Sequence, residues 1–167
     1  MSEWGRATYG NPCRECGFDW SLPQEEALSL VATMPSVYRT LVEGQNASRR
    51  HPDLAWSVKE YVCHVVDNLH ISSERLAGAA AGGDPRVGSY DRDSLAEARN
   101  YAAVPTEGAL WSLENAVRDW LSAVDLASHA GVVLSHPERG EQTVLDVCLN
   151  NAHDVSHHRW DIERSLR

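Results

Sequence analysis

The chain has 167 residues, long enough to bury a hydrophobic core as a single domain without disulfide or metal staples. Its 15 Lys and Arg against 24 Asp and Glu leave a net charge of −9, with the acidic residues spread along the chain. Such a surface repels nucleic-acid phosphates and anionic membranes, so neither is an expected partner. No apolar run approaches the roughly 20 residues of a membrane span, residues 1–6 do not read as a signal peptide, and the expected location is the cytoplasm.

Residues 1–22 are rich in Gly, Pro, Cys and Trp and read as an irregular arm ahead of a domain at 23–167. The arm carries Cys13-x-x-Cys16-Gly17, two thiols and a Gly that permits a tight turn, which is half of a zinc knuckle. In a reducing compartment such a pair binds metal, works as a redox couple or stays as two free thiols. Helical patterning begins near Pro23 and runs to Glu43, with Pro35 expected to kink or split it and Gly44 to end it. Ser57-x-x-Glu60 forms a capping box that opens an amphipathic run through Tyr61, Val62, Val65, Leu69 and Leu76, closed by Gly82 and Gly83. Asp93 is expected to cap a short helix reaching Tyr101, and Thr106 to cap a long one through Leu110, Leu113, Val117, Leu121 and Val124 that Gly131 closes. Residues 131–142 read as a small hairpin, after which Thr143-x-x-Asp146 opens a last helix to the C-terminus. Four long helices with two longer connections predict an all-α four-helix bundle. Cys63 and Cys148 fall within helical patterns and are expected in its core.

The histidines carry the chemistry. At 100° per residue, Asp146, Asn150, His153, His157 and Arg164 share a stripe roughly 60° wide on the last helix. His153 and His157 therefore lie one above the other and can share a cation, with His64 as a third ligand from another helix. The same stripe also describes the solvated face of a surface helix. His64 sits about 120° from the centre of its helix's apolar face, at the flank, so an ion there would occupy the mouth of the bundle. Three protein ligands at that place leave a position open to water and substrate. Asp161, Asn150 and Asp67 are close enough in sequence to hold these imidazoles in orientation. His158, turned about 100° from His157, reads as an exposed or packing residue, and His51, His70, His129 and His136 show no metal spacing. Cys13 and Cys16 can complete the histidine pair as a closed set of four ligands. The favoured reading keeps them at a separate site, because nothing in the sequence fixes the arm's path over the bundle mouth.

Taken in order, Trp56-Ser57-x-x-Glu60-Tyr61-x-x-His64 and His153-x-x-x-His157-His158-x-x-Asp161-Ile162 resemble the DinB-like superfamily, over residues 23–167. The resemblance implies an up-down-down-up four-helix bundle whose three histidines, by position His64, His153 and His157, hold a divalent metal, zinc or nickel. Its better-understood members include mycothiol-dependent maleylpyruvate isomerases and bacillithiol transferases. It thus implies a metal-dependent thiol transferase or hydrolase acting on a small molecule, with a low-molecular-weight thiol as cosubstrate. Residues 12–20 resemble an N-terminal extension of some actinobacterial DinB-like proteins. A second reading stays open, a non-catalytic metal- or ligand-binding module with a closed Cys/His zinc site, because no Glu stands in a His-Glu-x-x-His pattern. Many DinB-like proteins are dimers, and Leu110, Trp111, Leu113, Trp120 and Leu121 exceed what one narrow helix stripe needs, so a homodimer is expected.

Overall fold

A computed structural model describes residues 3–167; the first two residues of the expected arm lie outside them. The arm is not wholly irregular: it opens with helix α1 (Trp4–Tyr9) and buries Cys13, Phe18 and Trp20 in the core. Three aromatic or sulfur side chains within eight positions carry enough apolar area to hold the segment against the domain.

Helix α2 (Gln24–Val42) runs through Pro35 without being split. Val31 and Tyr38 are fully buried, and the Tyr38 hydroxyl donates to the Val155 carbonyl at 2.7 Å, contacts that outweigh the hydrogen bond a proline removes. Helix α3 (Val58–Ala80) begins at the expected capping box, where the Ser57 amide donates to Glu60 Oε2 at 2.8 Å. Helix α4 (Arg92–Ala98) is capped by Asp91, not Asp93: the Asp91 carboxylate accepts from the amides of Asp93 and Ser94. It stops three residues short of Tyr101, because Asn100 turns into the left-handed region that Asn tolerates, and a single 3-10 turn, Tyr101–Ala103, follows.

Helix α5 (Thr106–Ala130) has Pro105, not Thr106, in the capping position, with Thr106 as its first residue, and it ends on Gly131 in the left-handed conformation. Strands β1 (Val133–His136) and β2 (Gly140–Thr143) form the expected antiparallel hairpin, paired from Val133 with Thr143 to His136 with Gly140. Helix α6 (Val144–Leu166) opens at the second capping box, with the Thr143 amide donating to Asp146 Oδ2 at 2.9 Å. Helices α2 and α3 lie across the bundle from each other, each packed against α5 and α6. A buried polar chain ties three of the helices: Trp120 Nε1 donates to Asn151 Oδ1 at 2.9 Å, and Asn151 Nδ2 to Ser72 Oγ at 3.1 Å. Cys63 and Cys148 are core residues, as are Leu110, Leu113 and Trp120 of α5, whereas Trp111 is exposed. No helix among the described residues is long and apolar enough to cross a membrane.

Candidate metal centre

Helix α6 presents two consecutive pairs of donors at four-residue spacing, His153 with His157 and Asp154 with His158. Consecutive residues on a helix point about 100° apart, so the two pairs face different neighbours. His153 and His157 face the arm, and Asp154 and His158 face α3. Among the described residues this produces two groups whose donor atoms lie within 4.8 Å of one another: Cys13, Cys16, His153 and His157, and separately His64, Asp154 and His158.

In the first group Cys13 Sγ stands 3.9 Å from His157 Nδ1. On its other side the His157 ring presents Nε2 to Glu15 Oε2 at 3.4 Å. His153 is 5% exposed and enclosed by arm aromatics, with ring centroids 4.4 Å from Tyr9, 5.5 Å from Phe18 and 4.6 Å from Trp20. Burial, with His157 and His158 nearby, pushes its pKa down to about 4, so the ring is neutral at physiological pH. Its Nε2 is buried and has no hydrogen-bond partner. Burial also pushes the Cys16 thiol up to about 12, against a backbone hydrogen bond from Phe18 that favours the thiolate.

In the second group His64 Nε2 and His158 Nε2 approach the same oxygen, Asp154 Oδ1, at 3.7 and 3.5 Å. Those separations exceed a hydrogen bond. They lie a few tenths of an ångström above the roughly 3.0–3.4 Å between neighbouring N and O donors about 2.1 Å from one cation. The other side of the His158 ring is held: its Nδ1 lies 2.9 Å from Asp161 Oδ2, with both side chains buried. His64 Nδ1 and Asp154 Oδ2 are buried without partners. Burial opposes charge on His158, but Asp154 and Asp161 outweigh it and hold the imidazole at about 9. Burial likewise opposes the Asp154 carboxylate, and His158 and His64 outweigh that, holding its pKa well below the usual range. A proton on His158 thus balances the two carboxylates, and a divalent cation is the natural competitor for it. Two imidazoles and a carboxylate are three protein ligands, the number a catalytic zinc site uses while keeping a position open.

The three histidines expected around one ion are therefore divided, His64 in one group and His153 with His157 in the other. Cys13 and Cys16, expected apart, stand against that histidine pair. The arm covers the stripe that periodicity marks as polar. His158 is buried and grouped with His64, not exposed or merely packed. Asp161, three residues after His158 and four after His157, orients the former and not the latter. Asp67 is turned from His64 to Tyr101, whose hydroxyl donates to it at 2.6 Å, and to Arg99 at 2.8 Å. Asn150 lines a cavity beside the groups. Asp154 went unnoticed in the sequence, although Asp154-x-x-x-His158 repeats the His153-x-x-x-His157 spacing one residue along.

Two cavities flank the groups. One of about 510 Å³ is lined by His64, Asp154 and His153 together with Trp4, Tyr9, Arg75 and Tyr90. The other, about 410 Å³, is lined by Asp154, His158, His157, Trp56, Tyr61 and Glu15. Asp154 borders both, so the second group is reachable from either side, and arm residues wall each cavity.

No protein-family model matches the chain, and neither does any curated protein. Among solved structures, YfiT from Bacillus subtilis, described as a probable metal-dependent hydrolase with an unusual four-helix bundle topology, matches with a TM-score of 0.69 at 17% identity. The match covers 85% of this chain and 83% of that one, and it shows that the two share a fold, the one the DinB-like resemblance implies.

Proposed function

We propose that this protein is a metal-dependent enzyme acting on a small molecule, with His64, Asp154 and His158 as the protein ligands of one divalent cation, zinc first and nickel second. The observation that carries the reading is the approach of two imidazole nitrogens to one carboxylate oxygen, within 3.7 Å, at the border of two cavities. A cation bound by three protein ligands supplies Lewis acidity and brings a coordinated water or thiol toward ionisation at neutral pH. The residues around it have separate tasks. Asp161 accepts from His158 Nδ1 and so leaves the Nε2 lone pair directed at Asp154's side of the ring. Trp56 at 4.8 Å from the His64 ring and Tyr61 at 5.0 Å from the His158 ring restrict both imidazoles and keep water from their flanks.

The reaction in this reading is transfer of a low-molecular-weight thiol to an electrophilic small molecule, or hydrolysis of one. The word hydrolase in YfiT's description and the shared fold support the second. A cytoplasmic location belongs to the same proposal, supported by four cysteines of which none is joined in a disulfide. A homodimer does as well, supported by the exposed Trp111 on α5. The test is metal analysis after mild purification, followed by a screen of electrophiles with and without mycothiol. One equivalent of bound zinc or nickel, lost together with activity in His64→Ala, is expected. A folded protein with near-zero metal that rebinds neither ion overturns the proposal.

A further inference from the structure

The arm's cysteines stand outside that reaction, and so do the two histidines they face. We infer that Cys13, Cys16, His153 and His157 form a second, closed zinc site that staples the N-terminal arm to α6 and thereby builds one wall of the reactive cavity. Nothing in this inference depends on the His64 group binding an ion.

The donor set comes first. Two thiolates and two imidazoles are the set that selects zinc, with four protein ligands in a tetrahedron and no position left for chemistry. In such a tetrahedron a sulfur about 2.3 Å and a nitrogen about 2.05 Å from zinc lie roughly 3.6 Å apart. Cys13 Sγ and His157 Nδ1 are at 3.9 Å, and all four donors lie within 4.8 Å. A contraction of a few tenths of an ångström between Cys13 and His157, and of no more than about 1.2 Å between any sulfur and nitrogen donor, closes the site.

The backbone of the arm has the form such a site uses. The Gly17 amide donates to the Cys13 carbonyl at 3.0 Å, and Gly17 takes a φ of +74°, turning the chain tightly after Cys16. The Cys13 amide in turn donates to the Phe18 carbonyl at 2.8 Å, closing the loop on itself.

The histidines are prepared in the same way. His157 has its second nitrogen against Glu15, a carboxylate contributed by the cysteine loop itself, as imidazoles on metals are usually braced. His153 sits in an aromatic cage with an orphaned Nε2. Leaving a buried nitrogen unpaired is destabilising, and a cation partner removes that cost. The other two cysteines provide the internal contrast. Cys63 and Cys148 are buried on α3 and α6, yet neither belongs to a group of donors among the described residues.

The position of the site gives it a use. Trp4 and Tyr9 of the arm line the larger cavity, and Tyr9 and Glu15 line the smaller one. Tyr9 stacks on Trp20 at 6.1 Å and lies against His153, so fixing the cysteine loop on α6 also fixes the wall. On one turn of α6 the inner pair of donors then serves the open site and the outer pair the closed one, with the His157 and His158 ring centroids 5.8 Å apart.

Two measurements on the full chain test this. Cobalt substitution of the protein should give a thiolate-to-cobalt charge-transfer band that Cys13→Ser/Cys16→Ser abolishes and His64→Ala leaves intact, while zinc content falls by one equivalent in the cysteine variant. Because the cysteine variant can fail to fold, zinc-edge X-ray absorption is measured on His64→Ala, which keeps all four donors. Two sulfurs near 2.3 Å and two nitrogens near 2.0–2.1 Å are expected. A zinc shell without sulfur, no thiolate band in the unaltered protein, or native mass spectrometry showing Cys13 and Cys16 joined as a disulfide overturns the inference. Loss of the His64 equivalent alone leaves it standing and counts only against the reactive site.

Discussion

Replacing Asp161 separates the two sites, because that carboxylate touches the ring of His158 and not the ring of His157. The Asp161 and His158 side chains are 6% and 10% exposed, so solvent screens their 2.9 Å contact weakly. Asp161→Asn keeps an oxygen that accepts from His158 Nδ1 and removes only the charge; Asp161→Ala removes the acceptor and lets the ring turn. Removing the group that braces a ligating histidine lowers metal affinity by about 10- to 100-fold, which is about 1.4–2.7 kcal/mol. Asn is expected at the low end and Ala at the high end. Cobalt reports both sites in one cuvette, since only the cysteine site gives a thiolate charge-transfer band while the thiolate-free site contributes ligand-field bands alone. Competition with a chelator should release the thiolate-free cobalt about 10- to 100-fold more readily from the variants, with the thiolate band unmoved. A variant in which the thiolate band weakens first, or in which neither signal moves, refutes the division of α6 into two pairs of donors.

Burial pushes the Cys63 and Cys148 thiols up to about 11 and about 12, so both stay protonated and unreactive at pH 8; alkylation followed by mass spectrometry should modify neither in the folded, metal-loaded protein, and chelation should expose only Cys13 and Cys16. Tyr101→Phe takes a 2.6 Å hydrogen bond from buried Asp67 and should cost about 1–3 kcal/mol in denaturant unfolding with metal content unchanged; loss of zinc in that variant contradicts the assignment of Asp67 to the fold and not to His64. Homodimerisation through α5 is expected to depend on Trp111, which is 65% exposed, so light scattering should find Trp111→Glu as a monomer and the unaltered chain as a dimer. A concentration-independent mass near 18.5 kDa for the unaltered chain removes the dimer.

The local signals along the chain were legible because each is a short-range event. Ser57 with Glu60, Thr143 with Asp146, and Gly131 after α5 act within one turn, and each marks a helix end where the residue types require it. The path of Pro35 was less so, since the packing of Tyr38 on Val155, 117 residues away, decides whether the helix survives it. The site was legible as a set of residue types and illegible as a set of partners. Periodicity correctly put His153 and His157 on one stripe of α6, and it also put His64 off the apolar face of α3. What it could not supply is which surface covers each stripe. Phe18 and Trp20 turn a polar stripe into an aromatic pocket, and the approach of α3 makes His158, read as incidental, a partner of His64. Asp154 was hidden for the same reason, as one more acid in a chain of 24 Asp and Glu until α3 came beside it.

Anomalous diffraction from crystals of the zinc-loaded protein, recorded on both sides of the zinc edge, addresses the arrangement most directly. Two peaks per chain are predicted, one among Cys13, Cys16, His153 and His157, the other among His64, Asp154 and His158. A single peak shared by His64, His153 and His157, or no peak in either group, contradicts it.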